Sequence, residues 1–267
     1  MTSSPQAVVM YSGGVGSWGA AMRAVQRYGA DNVTLLFTDT KMEDEDLYRF
    51  LRQSAALTGA RLVEIADGRT PWQVFRDVRF MGNSRVDPCS RILKRELGDR
   101  WREENAPGSI VVLGLDWMEQ HRVDRAVASF ARRGITAWCP LAERPLTTKA
   151  ELIDQVRALG CEPPRLYALG FAHNNCGGFC VKAGQAQFAH LLRTMPERYA
   201  EHEREEESLR ELLGDVAVMR DRRNGENKPM TMRAFRERLE ANGEHDRLDW
   251  GGCNCFNAGD DPAGGAK

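Results

Sequence analysis

No apolar run in this chain approaches the roughly 20 residues needed to cross a bilayer. The opening Met1-Thr2-Ser3-Ser4-Pro5-Gln6 also lacks the charged and then apolar segment of a secretory signal. A membrane partner is therefore not expected, and a cytoplasmic location is. Charge of one sign is missing too: 37 basic residues against 38 acidic leave a formal net charge of −1, so no global field recruits nucleic acid. The chain has no internal repeat. The basic-rich stretch Arg220–Arg238 lacks a run of interleaved aromatics, which argues against single-strand stacking there and leaves an ordinary solvated surface as the equal reading.

What is present fits a globular protein. Its 267 residues allow one substantial core with an appendage, or two small domains. Through the first half, short apolar runs alternate with longer amphipathic stretches, the pattern of β-α-β units and a parallel sheet. Strands are expected near Val8–Tyr11, Val33–Thr38, Leu62–Ile65, Ile110–Leu115 and Ile135–Trp138. Helices are expected near Trp18–Arg27, Glu43–Leu57, Arg91–Glu103 and Glu119–Ala131. The fold class is α/β: a doubly wound, mainly parallel five-stranded sheet followed by a helical, Cys-containing region. The division expected is 1–140 for the sheet domain, 141–256 for the helical region and 257–267 for a disordered tail rich in Gly, Asp and Ala. Within the second region a helix is expected from Thr148 to Leu159. A highly charged, solvated helix is expected from Pro196 to Leu213, then a hairpin about Asn224-Gly225 and a last helix capped by Thr231.

The segment Val8-Val9-Met10-Tyr11-Ser12-Gly13-Gly14-Val15-Gly16-Ser17 reads as an anion cradle. An apolar strand leads into it, its glycines let backbone N–H groups converge, and the following helix turns its positive end to the same point. Ser12 and Ser17 add hydroxyl donors. Ligands in open α/β sheets sit at the carboxyl ends of strands, where Ser12, Asp39 and Gly114 are all expected, so three motifs should meet in one crevice.

Ser12–Ser17 resembles the SGGxxS loop of the PP-loop superfamily, the adenine nucleotide α-hydrolases, and within it the phosphoadenosine phosphosulfate (PAPS) reductase-like branch. Phe37-Thr38-Asp39-Thr40-Lys41-Met42-Glu43 with Leu47-Tyr48-Arg49-Phe50 is similar to that branch's strand ending in Asp-Thr. Cys89-Ser90-Arg91-Ile92-Leu93-Lys94 is similar to its Cys-x-x-x-x-Lys segment, and Val111–Glu119 to its strand ending in Gly with a Glu beyond. The resemblance implies an adenine nucleotide, ATP or PAPS, held by Ser12, Gly13, Gly14, Gly16, Ser17, Asp39, Thr40, Gly114 and Glu119. Three positions depart from the pattern. Gly16 replaces the usual acidic residue, Asp116 stands where an Arg is common, and Gln120 replaces a Ser.

Three functions follow as expectations. In the first, ATP adenylates a substrate and pyrophosphate leaves into the ring of N–H donors; Asp39 holds Mg2+, and Lys94 and Arg122 are candidate catalytic cations. The acceptor would be a nucleic acid or a small molecule, with a sulfur-donor protein as a further partner. The second is a PAPS or adenosine phosphosulfate reductase with a nucleophilic tail cysteine. The third is a non-catalytic nucleotide-binding module. A second constellation joins His173-Asn174-Asn175-Cys176-Gly177-Gly178-Phe179-Cys180 to Gly252-Cys253-Asn254-Cys255. Cys176, Cys180, Cys253 and Cys255 are expected to ligate zinc or a [4Fe–4S] cluster.

Overall fold

The computed structural model describes residues 6–221 and 227–242. Strand β1 (Ala7–Met10) is followed by helix α1 (Val15–Tyr28), β2 (Val33–Asp39), α2 (Glu45–Thr58) and β3 (Arg61–Ala66). Helix α3 (Pro71–Asp77), short α4 (Pro88–Ser90), a π-helical turn at Arg91–Glu96 and α5 (Leu97–Asn105) lead to β4 (Ile110–Val112). A 3-10 turn (Trp117–Glu119) and α6 (Gln120–Arg132) then lead to β5 (Ala137–Trp138). Beyond the sheet come α7 (Lys149–Ala158), α8 (Arg165–Ala168), α9 (Gln185–Thr194) and α10 (Pro196–Leu213). The hairpin strands β6 (Met219–Asp221) and β7 (Lys228–Met230) precede α11 (Met232–Asn242).

The expected five-stranded parallel sheet is present, in the order β3-β2-β1-β4-β5. Ala7 sits opposite Val33 on one side and Ile110 on the other. The chain runs outward from β1 through β2 to β3, then returns to lay β4 and β5 on the opposite side. The winding direction therefore reverses between β1 and β4, and the crevice of an open α/β sheet opens at such a reversal. Both faces are covered. Val9, Tyr11, Leu35 and Phe37 pack on α1, α2 and α7 through Trp18, Phe50 and Leu152. Val8, Met10, Leu36 and Val111 pack on α6 through Val123, Ala126 and Phe130. Burial on both sides explains why the strands read as unbroken apolar runs.

A separate core gathers Trp72 and Phe75 of α3 with Phe179, Phe188, Tyr199, Leu209 and Phe235. Helix α3 escaped the periodicity reading, although Thr70-Pro71 with Gln73 forms a capping box with proline at the first helical position. Helix α10 corrects another expectation. It is not a solvated helix: Tyr199, His202, Glu203, Glu206 and Leu209 form a buried face. The Glu206 carboxylate accepts the Val218 N–H at 2.9 Å and the Met232 N–H at 2.5 Å, fastening the hairpin and α11 to α10. Burial pushes this carboxyl up to about 7, against the pull of those two donors. The hairpin strands pair antiparallel, while the Asn224-Gly225 turn and the 257–267 tail lie outside the described residues. Thr231 accepts the Ala234 N–H at the start of α11. Among the described residues no helix is long and apolar enough to cross a membrane.

Candidate functional site

The anion loop leaves the buried strand β1 and enters α1 at Gly14, whose N-cap position carries no side-chain bond to the first turn of the helix. Backbone N–H groups at a helix start need partners, and here they face a cleft of about 390 Å³. Gly13 adopts φ +74°, and a Cβ there would meet the Leu47 side chain at 2.9 Å, so both backbone shape and space require glycine. The hydroxyls differ from expectation. Ser12 Oγ donates to Ser17 Oγ at 3.4 Å and Ser17 Oγ to the Gly14 carbonyl at 2.8 Å, so in this arrangement they bond along the loop.

Gly16 and Gly114 explain each other. A Cβ on Gly114 would lie 2.8 Å from Gly16 C and Ser17 N, and one on Gly16 would lie 3.1 Å from the Gly114 carbonyl oxygen. The start of α1 thus rests on the backbone beyond β4, and a side chain at position 16 has little space. Past Gly114, Asp116 accepts the Met118 N–H at 2.9 Å and shapes the turn that presents Glu119. Glu119 pairs with Arg122 one helical turn later. The Arg122 Nε is buried with no hydrogen-bond partner among the described residues, a donor that an incoming anion would satisfy. Ser12, Gly14, Gly16, Ser17, Gly114, Glu119 and Arg122 all line this one cleft.

Three lining groups were not singled out as ligands by sequence reasoning. Tyr167 of α8 lies over the loop: a Cβ at Gly14 would sit 3.0 Å from its hydroxyl. Burial raises that phenol to about 12, opposed by the Val15 N–H beside it. Lys149, at the start of α7, places its ammonium 5.9 Å from the centre of the Tyr167 ring and donates to the Ala172 carbonyl at 2.7 Å. Asn174 is buried and donates to the Gly13 carbonyl at 3.0 Å. Neither Tyr167 nor Lys149 belongs to any local pattern; only the fold of the later region brings them here.

Asp39, Thr40 and Lys94 do not line this cleft, which differs from the expected meeting of three motifs. Strand β2 pairs with β1 on the side away from the reversal. The Asp39 carboxylate accepts the Lys41 N–H, the Lys41 ammonium and the Tyr48 hydroxyl, each at 2.8 Å. Burial acts to raise this carboxyl, but the Lys41 and Tyr48 contacts outweigh it and hold it below the ordinary value. Lys94 is only 4% exposed and pairs with buried Glu43 at 3.4 Å. The same Glu43 carboxylate accepts from Thr40 Oγ1 and from the Cys176 N–H.

Thr40, Lys94, Cys89, Cys176, Cys180 and Lys182 line a second, narrow cavity. Cys176 itself has φ +51°, ahead of Gly177 and Gly178, also at positive φ. Among the described residues no group of three or more His, Cys, Asp or Glu side chains is placed to hold a metal ion. Cys253 and Cys255 lie outside the described residues. Cys139 and Cys161 are buried packing residues, and burial raises both thiols, Cys139 to about 12.

A scan against protein-family models gives no match, and neither does a search of curated proteins. Among solved structures, the chain is similar to a phosphoadenylyl-sulfate (PAPS) reductase from Candida auris, solved as a phosphate complex. The two are 16% identical, over 64% of this chain and 79% of that one, with a TM-score of 0.44.

Proposed function

We propose that the cleft between β1 and β4 binds an adenine nucleotide through its phosphate chain, and that the protein cleaves ATP between the α- and β-phosphates to adenylate an acceptor. One observation carries this reading: the uncapped start of α1, the orphaned Arg122 Nε and Lys149 all border one cleft at the reversal of the sheet. In it, the N–H groups after Gly14 receive the leaving pyrophosphate. Their dipoles already point at the site where negative charge grows, so little reorganisation opposes the reaction. Arg122 and Lys149 balance charge nearer the α-phosphate. Tyr167 excludes water above the loop. The motifs resemble those of the PAPS reductase-like branch of the PP-loop superfamily, which supplies the adenine.

Magnesium would enter with the nucleotide and rest chiefly on its phosphates. Asp39 does not fit as its ligand, because three donors already occupy that carboxylate. We propose separately that Cys176 and Cys180, together with Cys253 and Cys255, ligate zinc or a [4Fe–4S] cluster. Metal analysis and the visible charge-transfer bands of anaerobically purified protein test it.

The test of the main reading is product analysis with ATP, Mg2+ and candidate acceptors. AMP and pyrophosphate support it, whereas ADP and phosphate overturn it. Binding of ATP without turnover under every condition makes the protein a non-catalytic module. The reductase reading needs a nucleophilic thiol beside the nucleotide, and among the described residues no cysteine lines the cleft. Sulfite release from PAPS, lost in Cys253→Ser or Cys255→Ser, would move the assignment to that reaction.

A further inference from the structure

Among the described residues six helices are followed by a glycine at positive φ: Gly29, Gly59, Gly134, Gly160, Gly170 and Gly214. Helices α5 and α9 end without one, and helix α3 ends on a non-glycine residue at positive φ. Its end is closed by the Phe80 N–H to the Phe75 carbonyl at 3.1 Å and the Arg79 N–H to the Arg76 carbonyl at 3.2 Å. That closure puts residue 79 in the left-handed region at φ +52°, where glycine is the unstrained choice. An arginine held in a strained backbone position invites a functional account of its side chain.

Arg79 borders a groove of about 340 Å³ between the stretch 79–85 that follows α3 and residues of 213–220 with Asn227. Arg79, Phe80 and Arg85 come from one wall, Asp215, Arg220 and Asn227 from the other. Asp215 is balanced by Arg210 at 3.2 Å. Arg79 and Arg85 are exposed and make no ion pair among the described residues. Arg220 is aimed by Asn227, whose side-chain and backbone oxygens accept from its Nε and Nη2 at 3.1 and 2.8 Å. Phe80 is 41% exposed in this basic setting. Elsewhere in the basic-rich stretch, Arg233 and Arg236 pair with Glu203 and Arg238 with Asp221, whereas Arg220 lines the groove. The aromatic that the stretch itself lacks in an exposed position is supplied by Phe80, from far away in sequence.

We propose that this groove binds a single-stranded polynucleotide, with phosphates on Arg79, Arg85 and Arg220 and a base stacked on Phe80. Guanidinium groups satisfy phosphate oxygens, and an exposed ring beside them offers a platform that any base can use. A small anion would leave Phe80 without a role, and an intact duplex has no base face to offer it. As the acceptor in the adenylation reaction, the strand rests on the reading above. As a ligand of this groove, it is measured without any nucleotide.

The test is fluorescence anisotropy of labelled oligothymidylate and oligouridylate of about 15 nucleotides, with full-length protein and no ATP. Saturable binding is expected, with a slope of log K against log salt near −2, from three contacts at about −0.7 each. Tighter binding of one oligomer identifies DNA or RNA as the source. Arg79→Gly should weaken binding several-fold while the melting temperature holds or rises, because glycine suits that backbone. Phe80→Ala should weaken it about tenfold with the salt slope unchanged. The proposal is overturned if neither strand binds, if Arg79→Gly and Phe80→Ala leave binding intact, or if a duplex or polyglutamate competes as well as a single strand. AMP release without strand binding would remove this inference alone; strand binding without AMP release would remove only the adenylation reading.

Discussion

Replacing Gly114 by alanine tests whether the seat of the anion loop is a backbone-on-backbone contact. The new Cβ would lie 2.8 Å from Gly16 C and Ser17 N and 2.9 Å from Gly16 O. Reaching an ordinary contact of 3.4 Å requires the two segments to part by about 0.6 Å. None of those atoms belongs to a flexible side chain. Gly114 is not at positive φ, so alanine adds bulk without backbone strain. Overpacking of this kind costs about 1–3 kcal/mol. It also displaces a binding constellation beyond the roughly 0.5 Å tolerance such sites hold, so affinity for ATP should fall about tenfold or more. Gly98→Ala is the matched control. Its Cβ would also approach an atom at 2.8 Å, but that atom is the terminal methyl of Met10, which can turn aside. Gly98 lies within helix α5, where alanine gains up to about 1 kcal/mol in helix propensity. Urea denaturation and calorimetric titration with ATP compare the pair. If Gly114→Ala keeps both its stability and its ATP affinity, the loop does not depend on that contact and the reasoning fails.

The other predictions concern buried charge. Glu206 holds a proton in the folded protein that the unfolded chain releases near its ordinary value of 4.5, so its contribution is full below that pH and fades as pH rises through about 7. The stability difference between the wild type and Glu206→Gln should therefore fall by about 3 kcal/mol between pH 4.5 and 7.5. A flat difference in chemical denaturation across that range would show that the carboxyl is ionised throughout. His202, whose pKa burial lowers to about 3 with help from Arg198, acts with the opposite sign in both proteins and drops out of the comparison. Lys94→Met strands the buried Glu43 carboxylate without its ammonium partner and should destabilise the fold by about 3 kcal/mol. A change below about 0.5 kcal/mol in urea denaturation would mean that the Lys94–Glu43 ion pair does not hold the fold.

Sheet, loop and crevice were legible for a common reason. Strands buried on two faces must be apolar throughout, and a loop that needs glycine twice in a row after such a strand leaves few alternatives. Val8–Tyr11, Val33–Thr38 and Gly13-Gly14 carry that information locally. Polar residues inside the protein were misread because charge is ordinarily a sign of solvent. Glu206, His202 and Glu203 made α10 look exposed, although Tyr199, His202, Glu206 and Leu209 repeat at helical spacing. Lys94, expected as a catalytic cation, is instead buried against Glu43. Asp39 is expected in the crevice because it stands at the carboxyl end of a strand, but its carboxylate is engaged by Lys41 and Tyr48. Tyr167, Lys149 and Arg79 line their clefts beside neighbours distant in sequence, which no local pattern encodes.

The turn at Cys176-Gly177-Gly178 also limits how this chain can diverge. A Cβ on Gly177 would fall 1.9 Å from an Arg198 guanidinium nitrogen, with the left-handed backbone adding its own strain. Arg198 cannot simply withdraw, because it donates to the Met42 carbonyl at 2.6 Å and so holds the loop that carries Glu43. Any residue other than glycine at 177 would need a compensating change at 198, and a change at 198 would release the loop beside β2. Drift at these positions must therefore be concerted, and the pair Gly177 and Arg198 marks lineages that keep this arrangement.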